Sequence, residues 1–269
     1  MSRHLDSINS TITIIINSPT SKNIMAKGAS INFKSYKESV PKLLELLKLD
    51  REIKKYDKIV LKPFLRNAEQ YASAEFTEQV LKFCLENKNP VSEVFIAEAA
   101  DGYDTMELFE ALGYRALAEK YSVGLIDLNN AETEEIQDGL FLKFQSINYP
   151  KILSESFVIT LPKLFEDTEF NFSGALSSMI NSFPSSHYKS FFSKTKNKIR
   201  KWPIRYTIHD VIRCKMPNFA VIDASEKGVI LAGMPISLDK QAAKLLNMNE
   251  KTVPHLRTII ENFEKEIEQ

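Results

Sequence analysis

The sequence contains few cysteines, and this restricts the metal chemistry that it can support. Only Cys84 and Cys214 occur in 269 residues, and they form no Cys-x-x-Cys pair. Because structural zinc sites and iron–sulfur clusters need several thiolate or imidazole ligands, we expect no metal site and no iron–sulfur cluster. The four histidines are scattered and show no paired-ligand spacing. A chain with few, unpaired cysteines is typical of a reducing compartment, so we expect a cytoplasmic protein.

Glycine, net charge and long apolar runs are also scarce. The chain has eight glycines, and no Gly-rich phosphate-binding motif follows a predicted strand. No apolar run approaches the ~20 residues that cross a bilayer, so we expect no membrane partner. Lysine plus arginine equals aspartate plus glutamate at 35 each, so the net charge does not indicate a polyanionic partner.

The sequence does contain alternating strand and helix patterns. Short apolar runs bounded by proline, glycine or charge predict strands at 29–33, 58–62, 93–97, 123–127, 157–161, 219–223 and 228–232. Helical periodicity predicts helices at 36–48, 74–87, 105–111, 114–121, 238–247 and 255–267, with Ser73 and Ser237 as N-caps. This alternation predicts an α/β fold: a mainly parallel sheet with helices on both faces, forming a three-layer sandwich.

Three segments depart from this alternation. Residues 1–28 are rich in Ser, Asn and Thr and are predicted to be a flexible N-terminal segment, although the apolar run 12–16 could add an edge strand. Residues 131–150 are interpreted as an edge excursion with weak strands near 141–144. Residues 173–213 are predicted to be a helical excursion in the second half of one α/β domain, residues 29–269. The strands 219–223 and 228–232 are close enough to form a hairpin.

Polar residues stand where several predicted strands end. Lys62 and Lys163 each follow an apolar run beside a proline, and Glu98, Asp127 and Asp223 end other strands. Ligands of open parallel sheets bind beyond the carboxyl ends of the strands. We therefore predict that these side chains meet at one rim, where the two lysines bind an anion and a carboxylate could transfer a proton. The alternative is that the aspartates cap turns and the lysines are surface residues.

Two further segments are candidates for anion binding. Ser173 and Gly174 precede a predicted helix, whose free N–H groups would favour an anion, although Ser173 could equally be a plain cap. Residues 189–201 carry six lysines and arginines, no acid, and the aromatic residues Phe191 and Phe192. Such a run can bind nucleic acid, but it is more often a solvated face of the protein.

The order of several motifs resembles the domain of unknown function 362 family over about residues 29–260. The motifs that carry this resemblance are Lys62-Pro63, the strand 94–98, 109–114, 161–164, 173–179, 220–223 and 238–246. The resemblance implies the α/β fold and a pocket, but no established reaction. Some members of the family carry a ferredoxin-like insert, which this chain lacks. The family's sheet is also distantly similar to the amino-terminal part of nickel-pincer lactate racemase, whose histidine set has no counterpart here.

The chain departs from the family pattern at several polar positions. Phe64 stands where the family usually has asparagine, residues 165–167 replace a Lys-Thr-His motif, and Ser177 replaces a lysine. Residues 224–227 also replace a loop rich in glycine and glutamate. Lys62, Lys163 and Asp223 match the family, so the chain is either a divergent enzyme or a member that kept the fold and lost the chemistry.

Three functions are compatible with the sequence. The first is an enzyme that binds a small carboxylate or phosphate metabolite at the strand ends. The second is a non-catalytic binding or regulatory protein with the same pocket, and the third is a nucleic-acid-binding protein that uses residues 189–201. The sequence leaves open whether the protein is an enzyme, which cofactor it uses, and its oligomeric state.

Overall fold

The computed structural model of the protein describes residues 12–15 and 28–267. Its strands are β1 (Ile12–Ile15), β2 (Gly28–Asn32), β3 (Lys58–Pro63), β4 (Glu93–Glu98), β5 (Gly124–Asp127), β6 (Thr133–Ile136), β7 (Ile147–Pro150), β8 (Phe157–Leu161), β9 (Glu166–Asp167), β10 (Asn171–Phe172), β11 (Phe219–Ala224) and β12 (Val229–Gly233). Eight of them form one sheet in the order β1-β2-β12-β11-β8-β3-β4-β5. The pairs β6–β7 and β9–β10 form two small antiparallel sheets.

The helices lie between the strands along the chain and after the last of them. They are α1 (Tyr36–Leu46), α2 (Leu49–Ile53), α3 (Ala74–Asn87), α4 (Thr105–Ala111), α5 (Tyr114–Tyr121), α6 (Lys151–Ser154), α7 (Ser185–Tyr188), α8 (Ile204–Cys214), α9 (Pro235–Leu245) and α10 (Pro254–Ile267). The Ser73 side chain accepts a hydrogen bond from the Phe76 backbone N–H at 3.2 Å, which confirms the predicted cap of α3. None of the helices in the described part of the chain combines the length and apolar character needed to cross a bilayer.

The centre of the sheet is parallel, as predicted. Every neighbouring pair within the run β11-β8-β3-β4-β5 is parallel, and in the β3–β8 pair Lys62 lies opposite Thr160. On the other side of β11, the hairpin strand β12 runs antiparallel and then pairs with β2. β1 pairs antiparallel with β2, so the predicted edge strand is confirmed for residues 12–15. The rest of the predicted flexible segment lies outside the described residues.

Alternating side chains of the sheet enter two separate cores. Ile59 and Leu61 of β3 pack in the core that also contains apolar residues of α1 and α3. Val60, between them, packs in the other core with residues of α8, α9 and α10. Because successive side chains of a strand point to opposite faces, this sheet needs helices on both sides. The three-layer α/β prediction is therefore confirmed.

Some predicted elements differ from the structure. The predicted strands near 141–144 are wrong, since the excursion is the β6–β7 hairpin. The helix predicted for 238–247 begins earlier, at Pro235, because proline suits the first turn of a helix, and Ser237 lies inside it rather than at its cap. The helical excursion contains short 3₁₀ segments at Ser177–Ser182 and Asn197–Arg200 besides α7 and α8. The helix predicted for 36–48 ends at Leu46, and α2 follows it.

Candidate functional site

Lys62 and Glu98 form an ion pair at the carboxyl ends of the neighbouring strands β3 and β4. The Lys62 ammonium lies 3.2 Å from both carboxylate oxygens of Glu98 and donates another hydrogen bond, of 2.9 Å, to the Ser178 carbonyl. Neither side chain is exposed to solvent. Burial lowers the pKa of Lys62 and raises the pKa of Glu98, whereas the pairing of their charges opposes both shifts. The two residues meet as predicted, but solvent does not reach them.

A second buried lysine lies close to this pair. The Lys196 ammonium donates to the carbonyls of Ala99 at 2.9 Å and Asn181 at 3.2 Å, and its side chain is fully buried. Burial lowers the pKa of Lys196 to about 7, although the Asp101 and Glu98 carboxylates act in the opposite direction. Lys196 belongs to a predicted basic surface run, because its neighbours in the sequence are also basic and nothing in the local pattern distinguishes it.

The 3₁₀ segment Ser177–Ser182 holds both lysines. Its carbonyls at Ser178 and Asn181 accept hydrogen bonds from Lys62 and Lys196. Nearby, Phe64 is buried against Phe165, with ring centroids 6.3 Å apart and planes at 20°. At the place after β3 where a polar pocket was predicted, the structure therefore has stacked aromatic rings and a sealed group of charges.

Lys163 and Asp223 lie in register with each other but contact different partners from Lys62. The Lys163 ammonium pairs with Glu226 at 2.7 Å. The Asp223 carboxylate accepts hydrogen bonds from the Tyr36 hydroxyl at 2.8 Å and from the Ser225 backbone N–H at 3.0 Å. Burial, together with the Asp223 carboxylate, raises the pKa of Tyr36 to about 12. The expected meeting of Lys62 and Lys163 is not observed, and ligand binding by either one stays a prediction.

The turn after Ser173 binds a carboxylate of the protein itself rather than a ligand. The Asp239 carboxylate accepts the backbone N–H groups of Ala175 at 2.7 Å and Leu176 at 3.0 Å. Burial raises the pKa of Asp239 to about 7. A Cβ atom on Gly174 would lie 2.5 Å from an Asp239 oxygen, so this approach requires glycine. The Ser173 hydroxyl donates to the Lys163 carbonyl, which supports the structural interpretation of Ser173.

Asp127 lines an open polar cleft beyond β4 and β5. Its carboxylate accepts hydrogen bonds from the Asn129 backbone N–H at 2.9 Å and from the Asn130 side chain at 2.6 Å. The cleft has a volume of about 420 Å³ and is lined by Gly102, Tyr103, Asp104, Thr105, Asp127, Asn129, Asn130, Ser185, Lys189 and Lys194. Of the residues predicted at the strand ends, Asp127 lines this cleft. The two lysines of the cleft, Lys189 and Lys194, come from the basic segment 189–201.

The described part of the chain contains no group of three or more His, Cys, Asp or Glu side chains arranged to hold a metal ion. Cys84 is fully buried, and burial raises the pKa of its thiol to about 12, so it packs as an apolar side chain.

Comparison with known proteins gives a family and a similar fold. The family model described as "Domain of unknown function (DUF362)" matches residues 59–229. The structure is similar to the lactate racemase apoprotein from Thermoanaerobacterium thermosaccharolyticum, with a TM-score of 0.53 and 16% identity, over 80% of this chain and 56% of that one. At this identity the likeness shows a similar fold and no more. The chain thus spans little more than half the length of that protein.

A second solved structure, from Thermotoga maritima, aligns with a TM-score of 0.47 and 14% identity, over 80% of this chain and 61% of that one. This likeness is too weak to support an argument about the present chain. No curated protein matches the sequence significantly.

Proposed function

The chain belongs to the DUF362 family, whose function is unassigned, and we propose that it is a binding protein for a small anionic metabolite with a phosphate or carboxylate group. The observation that carries this proposal is the polar cleft beyond β4 and β5, which two lysines line. Its position agrees with the general place of ligand sites in open parallel sheets. A cleft of about 420 Å³ is also within the size range of small-molecule sites.

The lysines are the groups of the cleft that remain available to an anion. Lys189 and Lys194 are exposed, and neither forms an ion pair with another described residue. The acids of the cleft already accept hydrogen bonds: Asp104 caps α4 through the Met106 and Glu107 N–H groups, and Asp127 binds the Asn129 N–H. An ammonium group without a carboxylate partner favours phosphate or carboxylate, and the nearby amides can bind ligand hydroxyl groups.

The buried charges support binding without catalysis. In the enzyme hypothesis Lys62 would bind the anion and Glu98 could transfer a proton, but both are sealed from solvent, and Lys62 also binds the Ser178 carbonyl. The stacking of Phe64 on Phe165 supports the same interpretation, because aromatic rings occupy the expected pocket. The binding hypothesis is therefore favoured over the enzyme hypothesis. The cytoplasmic location stays a prediction from the cysteine content.

Binding of simple anions to paired variants tests this proposal. Thermal melting and equilibrium dialysis with inorganic phosphate, citrate and glucose 6-phosphate would be compared for the wild type and for the Lys189→Ala/Lys194→Ala variant. We expect at least one anion to raise the Tm of the wild type, and the variant to bind it about tenfold or more weakly. The control is Lys42→Ala/Lys54→Ala, which removes two exposed lysines outside the cleft.

The control variant should bind like the wild type. Equal affinity of the wild type and the Lys189→Ala/Lys194→Ala variant would refute the assignment of the cleft. If no anion binds the wild type at all, the proposed function itself is wrong.

A further inference from the structure

Two adjacent phenylalanines project almost completely into solvent. Phe191 is 92% exposed and Phe192 is 97% exposed, and their ring centroids lie 5.0 Å apart with planes at 86°. Single exposed apolar residues are common on protein surfaces, but paired exposed aromatics form a patch that typically marks an interaction site. We call these two side chains the Phe191–Phe192 tip.

The loop that carries this tip is closed by its own hydrogen bonds. The Asn197 side-chain oxygen accepts bonds from the backbone N–H of Ser190 at 3.1 Å and from its hydroxyl at 3.0 Å. Inside the loop, the Ser193 hydroxyl donates to the Thr195 carbonyl at 2.8 Å. The buried Lys196 side chain anchors the base of the loop to the Ala99 and Asn181 carbonyls. The exposure of the tip is therefore a property of an ordered, anchored loop.

Within the loop itself the charge has one sign, although Asp101, Asp104 and Asp127 of neighbouring segments lie beside its base. No aspartate or glutamate occurs between Glu169 and Asp210, and Lys189, Lys194 and Lys198 are exposed in the same loop. Among the described residues, the Lys198 ammonium donates to the backbone carbonyl of His187 at 3.0 Å and has no acidic partner. Two apolar rings with three exposed cations beside them match the chemistry of an anionic lipid surface, which offers an apolar interior below a layer of phosphates.

We propose that residues 189–198 dock the protein onto an anionic lipid bilayer. Phe191 and Phe192 enter the boundary between headgroups and acyl chains, and the exposed lysines contact lipid phosphates. A nucleic-acid platform fits the geometry less well, because rings at 86° present no common face on which successive bases can stack. The expectation of no membrane partner rested on the lack of a spanning segment, and surface docking needs no such segment.

Vesicle flotation tests this proposal with the full chain. The vesicles are phosphatidylcholine alone or phosphatidylcholine mixed with phosphatidylserine. We expect the wild type to float mainly with the phosphatidylserine vesicles, and the Phe191→Ser/Phe192→Ser variant to show a partition coefficient lower by about tenfold or more. The matched control is Val91→Ser, which changes an apolar residue that is 74% exposed and precedes β4, at the opposite end of that strand from Glu98.

The control should float like the wild type, and all variants should keep the wild-type Tm, because the altered side chains are exposed. Equal flotation of the Phe191→Ser/Phe192→Ser variant and the wild type would overturn the proposal. It would also be overturned if no vesicle binds while the tip mediates RNA binding in a gel shift, or self-association in sedimentation. Phe191 and Phe192 do not line the cleft, so small-anion binding by the same variant reports on the proposed function separately.

Discussion

Lys196 should make the stability of the protein depend on pH in a way that one substitution removes. Its pKa falls from the ordinary value of 10.5 to about 7 in the folded state, because its ammonium group is buried. Between these two values the unfolded chain holds a proton on Lys196 that the folded chain has released, so the free energy of unfolding rises with pH. The stabilising contribution is complete above pH 10.5 and is lost as the pH falls through about 7.

The size of the effect follows from the size of the shift. A shift of about 3.5 pKa units at ~1.4 kcal/mol per unit amounts to roughly 5 kcal/mol, of which about 2 kcal/mol falls between pH 7 and pH 9. Lys196→Met keeps a side chain of similar length and removes the titrating amino group. We therefore expect the free energy of unfolding of Lys196→Met, relative to the wild type, to decrease by about 2 kcal/mol from pH 7 to pH 9.

Urea denaturation at pH 7, 8 and 9 measures this difference. The absolute stability of Lys196→Met also includes the loss of hydrogen bonds to the Ala99 and Asn181 carbonyls, so the pH dependence is the diagnostic quantity. Lys198→Met, an exposed neighbour in the same segment, should follow the pH dependence of the wild type. If the free energies of unfolding of Lys196→Met and the wild type changed in parallel with pH, the inference that Lys196 is neutral in the folded protein at alkaline pH would be refuted.

Two further substitutions test the buried contacts, each by its urea midpoint. Glu98→Ala should lower the free energy of unfolding by ~3–5 kcal/mol, because it leaves the Lys62 ammonium buried without its carboxylate. The double variant Lys62→Met/Glu98→Leu should recover most of that loss. Equal destabilisation of the single and the double variant would argue against the unpaired charge as the cause. Gly174→Ala should cost ~1–3 kcal/mol, because the new methyl group would push the Asp239 carboxylate away from the turn; a midpoint equal to that of the wild type would contradict this contact.

The sequence predicted those parts of the fold that depend on local pattern. The strand β8 and the helices α3, α4 and α5 have the predicted bounds, because their apolar periodicity and caps lie within a few residues of chain. The parallel centre of the sheet followed from the alternation of these elements. Errors occurred where local signals were ambiguous, as at Ser237, a good capping residue that lies inside a helix already started by Pro235.

The candidate site was less predictable, because it depends on partners distant in the chain. Because Lys62 and Glu98 both stand at strand ends, the sequence indicated that they would lie close together, and in the structure they form an ion pair. The carboxylate that fills the turn after Ser173 comes from Asp239, more than sixty residues later, and no local pattern indicates it. Burial also separates Lys196 from the exposed Lys194 and Lys198, although all three have basic neighbours. Only tertiary contacts distinguish such residues.

The position of β2 has a consequence for how the chain is made. Its neighbours in the sheet are β1 and β12, and β12 (Val229–Gly233) is synthesised about two hundred residues after β2. β2 must therefore wait for about two hundred further residues to be made before it gains its place beside the parallel centre. Until then the edge of β11 also lacks its hairpin partner, so the sheet is completed only after β12 has been made.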